Sequence, residues 1–360
     1  MHQPKTFDYQ FDTPVEPVIY AQFIKYEKLT EICKGNFEGY TDSEVVVFID
    51  VYSILFPLYS LNNINNIINI TSCIINLAIH YRNYFKKFGI YAHIFLLYSP
   101  TMSSTNLKYL PEYNNIRINK ALNNRYVNDV INKNLNLIGL VVPYLPDIYF
   151  KIGTVETAVM ALDIIQKLEA KGFRKKPIFI TSSQYAMQLP AILPDALICF
   201  KKRTKENEDL SYGINKDNVM PYILAETRKK SAPQGIEMKS TWVTPFYALC
   251  GIPQRSIGCL FNYKTTLRIL NSIEQSYNTI TPATVYEAVN RMYENKIAKV
   301  PLELIMMRYK AIDLVFQLAE YRTLPESKEF AFMRQVNDFD NLLKLNDQYF
   351  KDNPINLSML

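Results

Sequence analysis

Apolar positions along the chain fall into two alternating rhythms. Val45-Val46-Val47-Phe48-Ile49-Asp50 is an unbroken, β-branched run ending in a carboxylate, the pattern of a buried parallel strand with a functional group at its C-terminal end. Residues 62–87 carry apolar side chains at helical spacing and close on Lys86-Lys87-Phe88-Gly89, a helix stop. Further buried strands are expected at 90–98, 178–181 and 196–200, with a shorter one near 146–152 leading into a helix over 155–171 that stops at Gly172. Residues 106–138 are polar and helical, and beyond about 241 the pattern is helical with no convincing strand. Strands alternating with helices predict an α/β fold, a central mostly parallel sheet flanked by helices, with ligands at the strand C-termini.

This patterning divides the chain into a polar and aromatic N-terminal extension (1–43), an α/β domain (44–240), a helical region (241–323) and a loosely packed C-terminal helix and tail (324–360). Composition adds limits. With 360 residues, 48% of them apolar and only 10 glycines, the chain is an ordered globular protein rather than a low-complexity one. The Asn, Ile, Lys and Tyr content matches what an AT-rich genome tends to encode. A net charge of +6 permits contact with nucleic acid without demanding it. The five cysteines, at 33, 73, 199, 250 and 259, lack regular spacing, so reduced thiols in a cytoplasmic setting are expected. Three histidines and no C-x-x-C pair argue against a structural zinc site. The N-terminus has no apolar signal region, and the stretch 45–58 is broken by Asp50 and Pro57, so no membrane span is expected.

The segment Tyr109-Leu110-Pro111-Glu112-Tyr113-Asn114-Asn115-Ile116-Arg117 resembles the "LPEYKxxR" stretch of the phage and bacterial 5′-nuclease (flap endonuclease, PIN-like) family, in which it leads into a helical arch threaded by a DNA 5′ end. Here the arch would lie near 106–138. The resemblance is colinear over roughly 44–322. Ile49-Asp50-Val51 stands where the family has a strand ending in Asp-Gly, and Gly153-Thr154-Val155-Glu156-Thr157-Ala158 where it has Gly-x-Glu-Ala-Asp-Asp. Ser183 and Tyr185 occupy the Asp-x-Asp positions, and Gly251-Ile252-Pro253-Gln254-Arg255 the Gly-Asp-x-x-Asp segment. Lys264-Thr265-Thr266-Leu267-Arg268-Ile269-Leu270 is similar to the helix that closes the family's helix-hairpin-helix, and the helix 302–314 to its C-terminal helix.

The resemblance implies two-metal phosphodiester hydrolysis, which needs clustered carboxylates holding cations roughly 3.5–4 Å apart. Ser, Ala and Ile cannot replace anionic oxygen ligands for such hard cations. Only Asp50, and Glu156 if one residue is inserted, survive as vestiges, and Arg255 puts a cation near the metal position. A catalytically inactive 5′-nuclease-like protein is therefore expected, with no cofactor and no metal ligands. Asp50 is read as a helix cap or hydrogen-bond acceptor, and Glu156 as a carboxylate favoured by the helix dipole.

The glycines of the hairpin are also lost. Gly258 would open it, and Asn262 could supply a left-handed turn. Candidate nucleic-acid contacts are Tyr113, Arg117, Lys120, Arg125, Arg255, Lys264 and Arg268, with Tyr109, Tyr113 and Tyr126 interleaved for base stacking. Residues 201–209 and Arg228-Lys229-Lys230 add basic clusters.

Three functions follow. One is an accessory subunit of a phage or viral replication or transcription assembly that binds branched or single-stranded DNA. The second is a purely structural subunit of a viral particle or complex, its partners held through the terminal segments. The third is an active nuclease with carboxylates recruited from Asp147, Asp163 or Asp195, which are poorly placed. The host cytoplasm or the virion is the expected location.

Overall fold

The computed structural model describes residues 44–53, 67–86, 89–99, 104–113, 115, 125–172, 176–200, 212–228, 230–277, 279–293, 300–328, 336–351 and 354–360. The extension 1–43, the arch residues Arg117 and Lys120, and the charged segment 201–209 lie outside them.

Six strands form one sheet: β1 (Glu44–Asp50), β2 (Tyr91–Tyr98), β3 (Ile148–Ile152), β4 (Lys176–Thr181), β5 (Leu197–Phe200) and β6 (Tyr212–Ile214), in the order β3-β2-β1-β4-β5-β6. Neighbours are parallel except β5 and β6, which pair antiparallel. The pleat explains why β1 reads as a continuous apolar run. Val46 and Phe48 enter one core and Val45, Val47 and Ile49 the other, so both faces are covered. Phe48 stacks on Phe95 and Phe179 of its two neighbours, at ring separations of 5.4 and 5.0 Å, which ties the three central strands on one face. Strand β6 was not legible in the sequence. At three residues, Tyr212-Gly213-Ile214, it is too short to show a period.

Helix α1 (Ile67–Lys86) packs on β2 and, after the short α2 (Ser104–Tyr109), α3 (Arg125–Val141) packs on α1. The apolar side chains of both join one core, on one face of the sheet. The other face carries α4 (Thr157–Ala170), α5 (Val243–Cys250), α6 (Tyr263–Ser276), α7 (Pro282–Tyr293), α8 (Leu302–Ile312) and α9 (Leu314–Arg322). The stretch expected as one helix over 302–314 is broken at Asp313. That residue ends α8 and caps α9, accepting hydrogen bonds from the amides of Val315 and Phe316.

The C-terminal region is not loosely packed. In α10 (Phe339–Tyr349) and the residues after it, Leu342, Phe350 and Ile355 are buried in the same core as α1. Asn76 of α1 donates to the Pro354 carbonyl at 3.2 Å and accepts from the Asn356 amide at 2.8 Å. The Arg82 guanidinium donates to the Leu360 carbonyl at 3.2 Å. Amphipathic spacing in 339–349 marks a helix, but only the folded chain reveals the groove that receives it. Among the described residues no helix is long and apolar enough to cross a membrane.

Candidate nuclease-like centre

The chain builds β1, β2 and β3 outward in one direction, then returns to the far side of β1 for β4. The reversal leaves a crevice at the C-terminal ends of β1 and β4, where α/β sheets present functional groups. Asp50 closes β1 and is 8% exposed. Its Oδ2 accepts from Ser53 at 2.6 Å, one turn further on, and from Thr181 at the end of β4 at 3.0 Å. Thr181 also takes the Ser183 amide at 3.0 Å, and Ser53 takes the Ser182 amide at 2.9 Å. Asp50 thus acts as the hydrogen-bond acceptor that the sequence suggested, and the bonds stitch the two strand ends together. Ser53 and Thr181 were not singled out in the sequence. A hydroxyl three residues after a strand-end carboxylate was the available signal.

Glu156 sits one position before α4. It makes no side-chain capping bond to the helix. Its carboxylate faces inward. Oε1 accepts from the Tyr113 hydroxyl at 2.6 Å, and Oε2 pairs with the Arg255 guanidinium at 2.6 Å. The same Nη2 of Arg255 donates to Ser183 Oγ at 2.8 Å. Arg255 is brought in by the turn Pro253–Arg255, which is braced by Gln254 accepting the Gln184 amide at 3.1 Å. Asp50, Glu156, Ser183 and Arg255 therefore converge, although the first and last are some two hundred residues apart.

The electrostatics follow from burial. Arg255 is 3% exposed, and burial alone would lower its pKa. The field of Glu156, then those of Tyr113 and Asp50, outweighs burial and holds the guanidinium above its usual range, so it stays charged. Burial, and then the Glu156 carboxylate, push the Tyr113 phenol well above its usual range, so it remains a neutral donor. Tyr98, at the end of β2, is pushed up to about 12 by burial and then by Tyr52 and Asp50. Tyr185, fully buried, lies edge-on to Tyr113 and receives a 3.3 Å hydrogen bond from Asn106. Arg255 Nε and Nη1 find no acceptor among the described residues.

These placements change the list of candidate nucleic-acid contacts. Tyr113 is fully buried and engaged with Glu156, so its ring has no face left for a base. Arg255 is buried in an ion pair rather than offered to a phosphate. Lys264 and Arg268 are exposed, one turn apart on α6, and Lys230, also exposed, lies over the Tyr263 ring at 5.8 Å. Arg125 opens α3. Asn262 is not left-handed. It is extended (φ −65°) and caps α6 through the Thr265 amide, while Gly251 (φ 74°) and Ser256 (φ 61°) take the left-handed positions. Asp147 is engaged by Tyr91 and His93 at the opposite end of the sheet, and Asp163 is buried between Lys167 and Arg322. Neither reaches the crevice.

No family model matches the chain, and no curated protein matches it in sequence. Solved structures do. A bacteriophage T5 D15 protein co-crystallised with metal ions superposes with a TM-score of 0.52 at 12% identity, covering 85% of this chain and 98% of that one. The chain has the 5′-nuclease fold. A pseudo-enzyme product complex of the phage T5 D15 flap endonuclease with DNA and metal ions gives a TM-score of 0.51 at 12% identity, over 83% and 98% of the two chains. The zinc-bound T5 5′-exonuclease gives 0.51 at 12% identity, over 86% and 98%. At such identity the likeness concerns the fold, and the chemistry rests on the residues described above.

Proposed function

We propose that this chain is a 5′-nuclease-fold protein that binds DNA without cleaving it. The observation that carries the reading is the Arg255–Glu156–Ser183 contact. A permanent, buried cation neutralises the carboxylate that would otherwise face a divalent ion. The donor set does not fit two hard cations. Asp50 is committed to Ser53 and Thr181, Glu156 to Arg255 and Tyr113, and the remaining positions are Ser, Thr, Ala, Tyr and Ile. Among the described residues no group of three or more His, Cys, Asp or Glu side chains could hold a metal.

DNA binding is supported by the fold shared with a flap endonuclease crystallised on DNA and by the exposed Lys264 and Arg268 one turn apart on α6, with Lys230 beside its first turn. Such contacts grip phosphates without reading sequence. The role that suits these features is an accessory DNA-binding subunit. The test is titration of flap, single-stranded and duplex DNA at several salt concentrations, with Mg²⁺ and Mn²⁺ cleavage assays alongside. We expect affinity that falls steeply with salt and weakens in a Lys264→Glu/Arg268→Glu variant, with no cleavage. Metal-dependent flap cleavage abolished by Asp50→Ala would overturn the reading. So would an absence of binding at low salt, which would favour a second reading, an interaction subunit without DNA contact. That reading draws on the burial of Tyr113 and on the exposed Val336, Phe339 and Leu343 before and along α10.

A further inference from the structure

Cys250 and Cys259 lie on the two segments that flank the loop carrying Arg255. The end of α5 and the returning segment after the loop pass in backbone contact. Ile252 bridges Ile257, the Leu260 amide donates to the Leu249 carbonyl at 2.8 Å, and Gly251 lies so close to Gly258 that a Cβ there would meet the Gly258 carbonyl oxygen at 2.5 Å. The contacts 252–257, 251–258 and 249–260 bracket Cys250, the last residue of α5, and Cys259 on the returning segment. Backbone contact on both sides of the two residues brings them together, and a disulfide spans Cα separations of about 4.4–6.8 Å. The two are free thiols in this structure, Cys250 buried and Cys259 exposed. Their electrostatic coupling agrees with this approach, since Cys259 contributes to the upward displacement of the Cys250 pKa.

Two guanidinium groups frame the pair. Arg228 donates to the Gly251 carbonyl and Arg308 to the Gly258 carbonyl, the latter at 2.7 Å. Burial pushes the Cys250 thiol up, and the Arg228 charge pulls against it.

We propose that Cys250 and Cys259 are a peroxide-responsive dithiol whose oxidation closes a disulfide across the Arg255 loop. The exposed Cys259 thiolate attacks a peroxide oxygen, the O–O bond breaks, and Cys259 becomes a sulfenic acid as hydroxide leaves and is protonated to water. The Cys250 thiolate then attacks Cys259 Sγ, and the S–O bond breaks to release a second water. Two thiols lose two hydrogens and two electrons, and hydrogen peroxide is reduced to two waters. The resulting ring encloses Arg255, so the oxidised loop holds the Glu156 partner more tightly. This inference does not depend on DNA binding.

The full chain treated with stoichiometric hydrogen peroxide and digested with trypsin without reduction provides the test. Trypsin cuts after Lys239, Arg255 and Lys264, so the bridge would join peptides 240–255 and 256–264. We expect that joined peptide, two hydrogens lighter than the sum of its parts and split by dithiothreitol, with free thiols falling from five to three. A Cys250→Ser variant should instead trap a dimedone-reactive sulfenic acid at Cys259. Cross-links involving other cysteines, or over-oxidation of Cys259 with no bridge in the wild-type protein, would overturn the proposal. The wild-type peptide map decides the matter even if a variant fails to fold.

Discussion

Arg255 and Glu156 show at the scale of single residues why a buried charge is tolerable only with its partner. Both are less than one-tenth exposed, and each supplies the counter-charge that the interior denies the other. Removing one leaves the other uncompensated, at about 3–5 kcal/mol, whereas replacing both with neutral groups of similar size is far less costly. Arg255→Met is therefore expected to lower the melting temperature sharply and Arg255→Met/Glu156→Gln to recover most of the loss. A double variant that loses the sum of the two single losses in a double-mutant cycle would show that the ion pair does not set the stability. His93 gives a second case. Burial lowers its pKa from 6.5, with Asp147 opposing, so the folded protein keeps the ring neutral while the unfolded chain charges it near the usual value. Its contribution is complete above that usual value and is lost as pH falls through the lowered one. Tyr91, Tyr149 and Asp147 surround it, and Arg82 acts on Asp147 and Tyr91 behind them. Denaturant melts of His93→Phe should lose less stability than wild type between neutral pH and about pH 5.

Among the elements, the loop between α5 and α6 depends on backbone conformation more than on any side chain. Gly251 combines a positive φ of 74° with a space in which a Cβ would meet the Ile257 carbonyl oxygen at 2.3 Å. Gly251→Ala adds left-handed strain to a backbone clash and should cost roughly 2–5 kcal/mol. Gly258→Ala has nothing within 4 Å and should be nearly silent in the same thermal melt. A similar loss at both positions would mean that the close approach around Gly251 does not matter. The sequence motif predicts a hairpin here but not which residues turn it. Asn262 was a reasonable left-handed candidate by residue type, yet the Thr265 amide drew it into capping α6.

Over the whole molecule, two cores on opposite faces of one sheet are joined by the central strands, and the chain end completes one of them. Leu342, Phe350 and Ile355 are each 2% exposed or less. A chain stopping at 335 should therefore melt several degrees lower and bind an apolar dye. An unchanged melting curve would show that α10 contributes little to the fold.

The parallel α/β architecture, the positions of β1, β2, β4 and β5, and the end of β1 at Asp50 were legible in the sequence. Both-sided burial forces an unbroken apolar run, and that run is visible without any neighbour. The one-turn spacing of Lys264 and Arg268 was legible for the same reason, because helical geometry is local. Tertiary structure decided the rest. Nothing near Glu156 in the chain indicates Arg255, and nothing near Tyr113 indicates that its hydroxyl will be turned inward to a carboxylate. These groups meet because the strand order reverses at β1 and gathers distant loops at one end of the sheet. Whether a charge becomes a surface contact or a buried ion pair depends on that long-range closure, which leaves no period in the sequence.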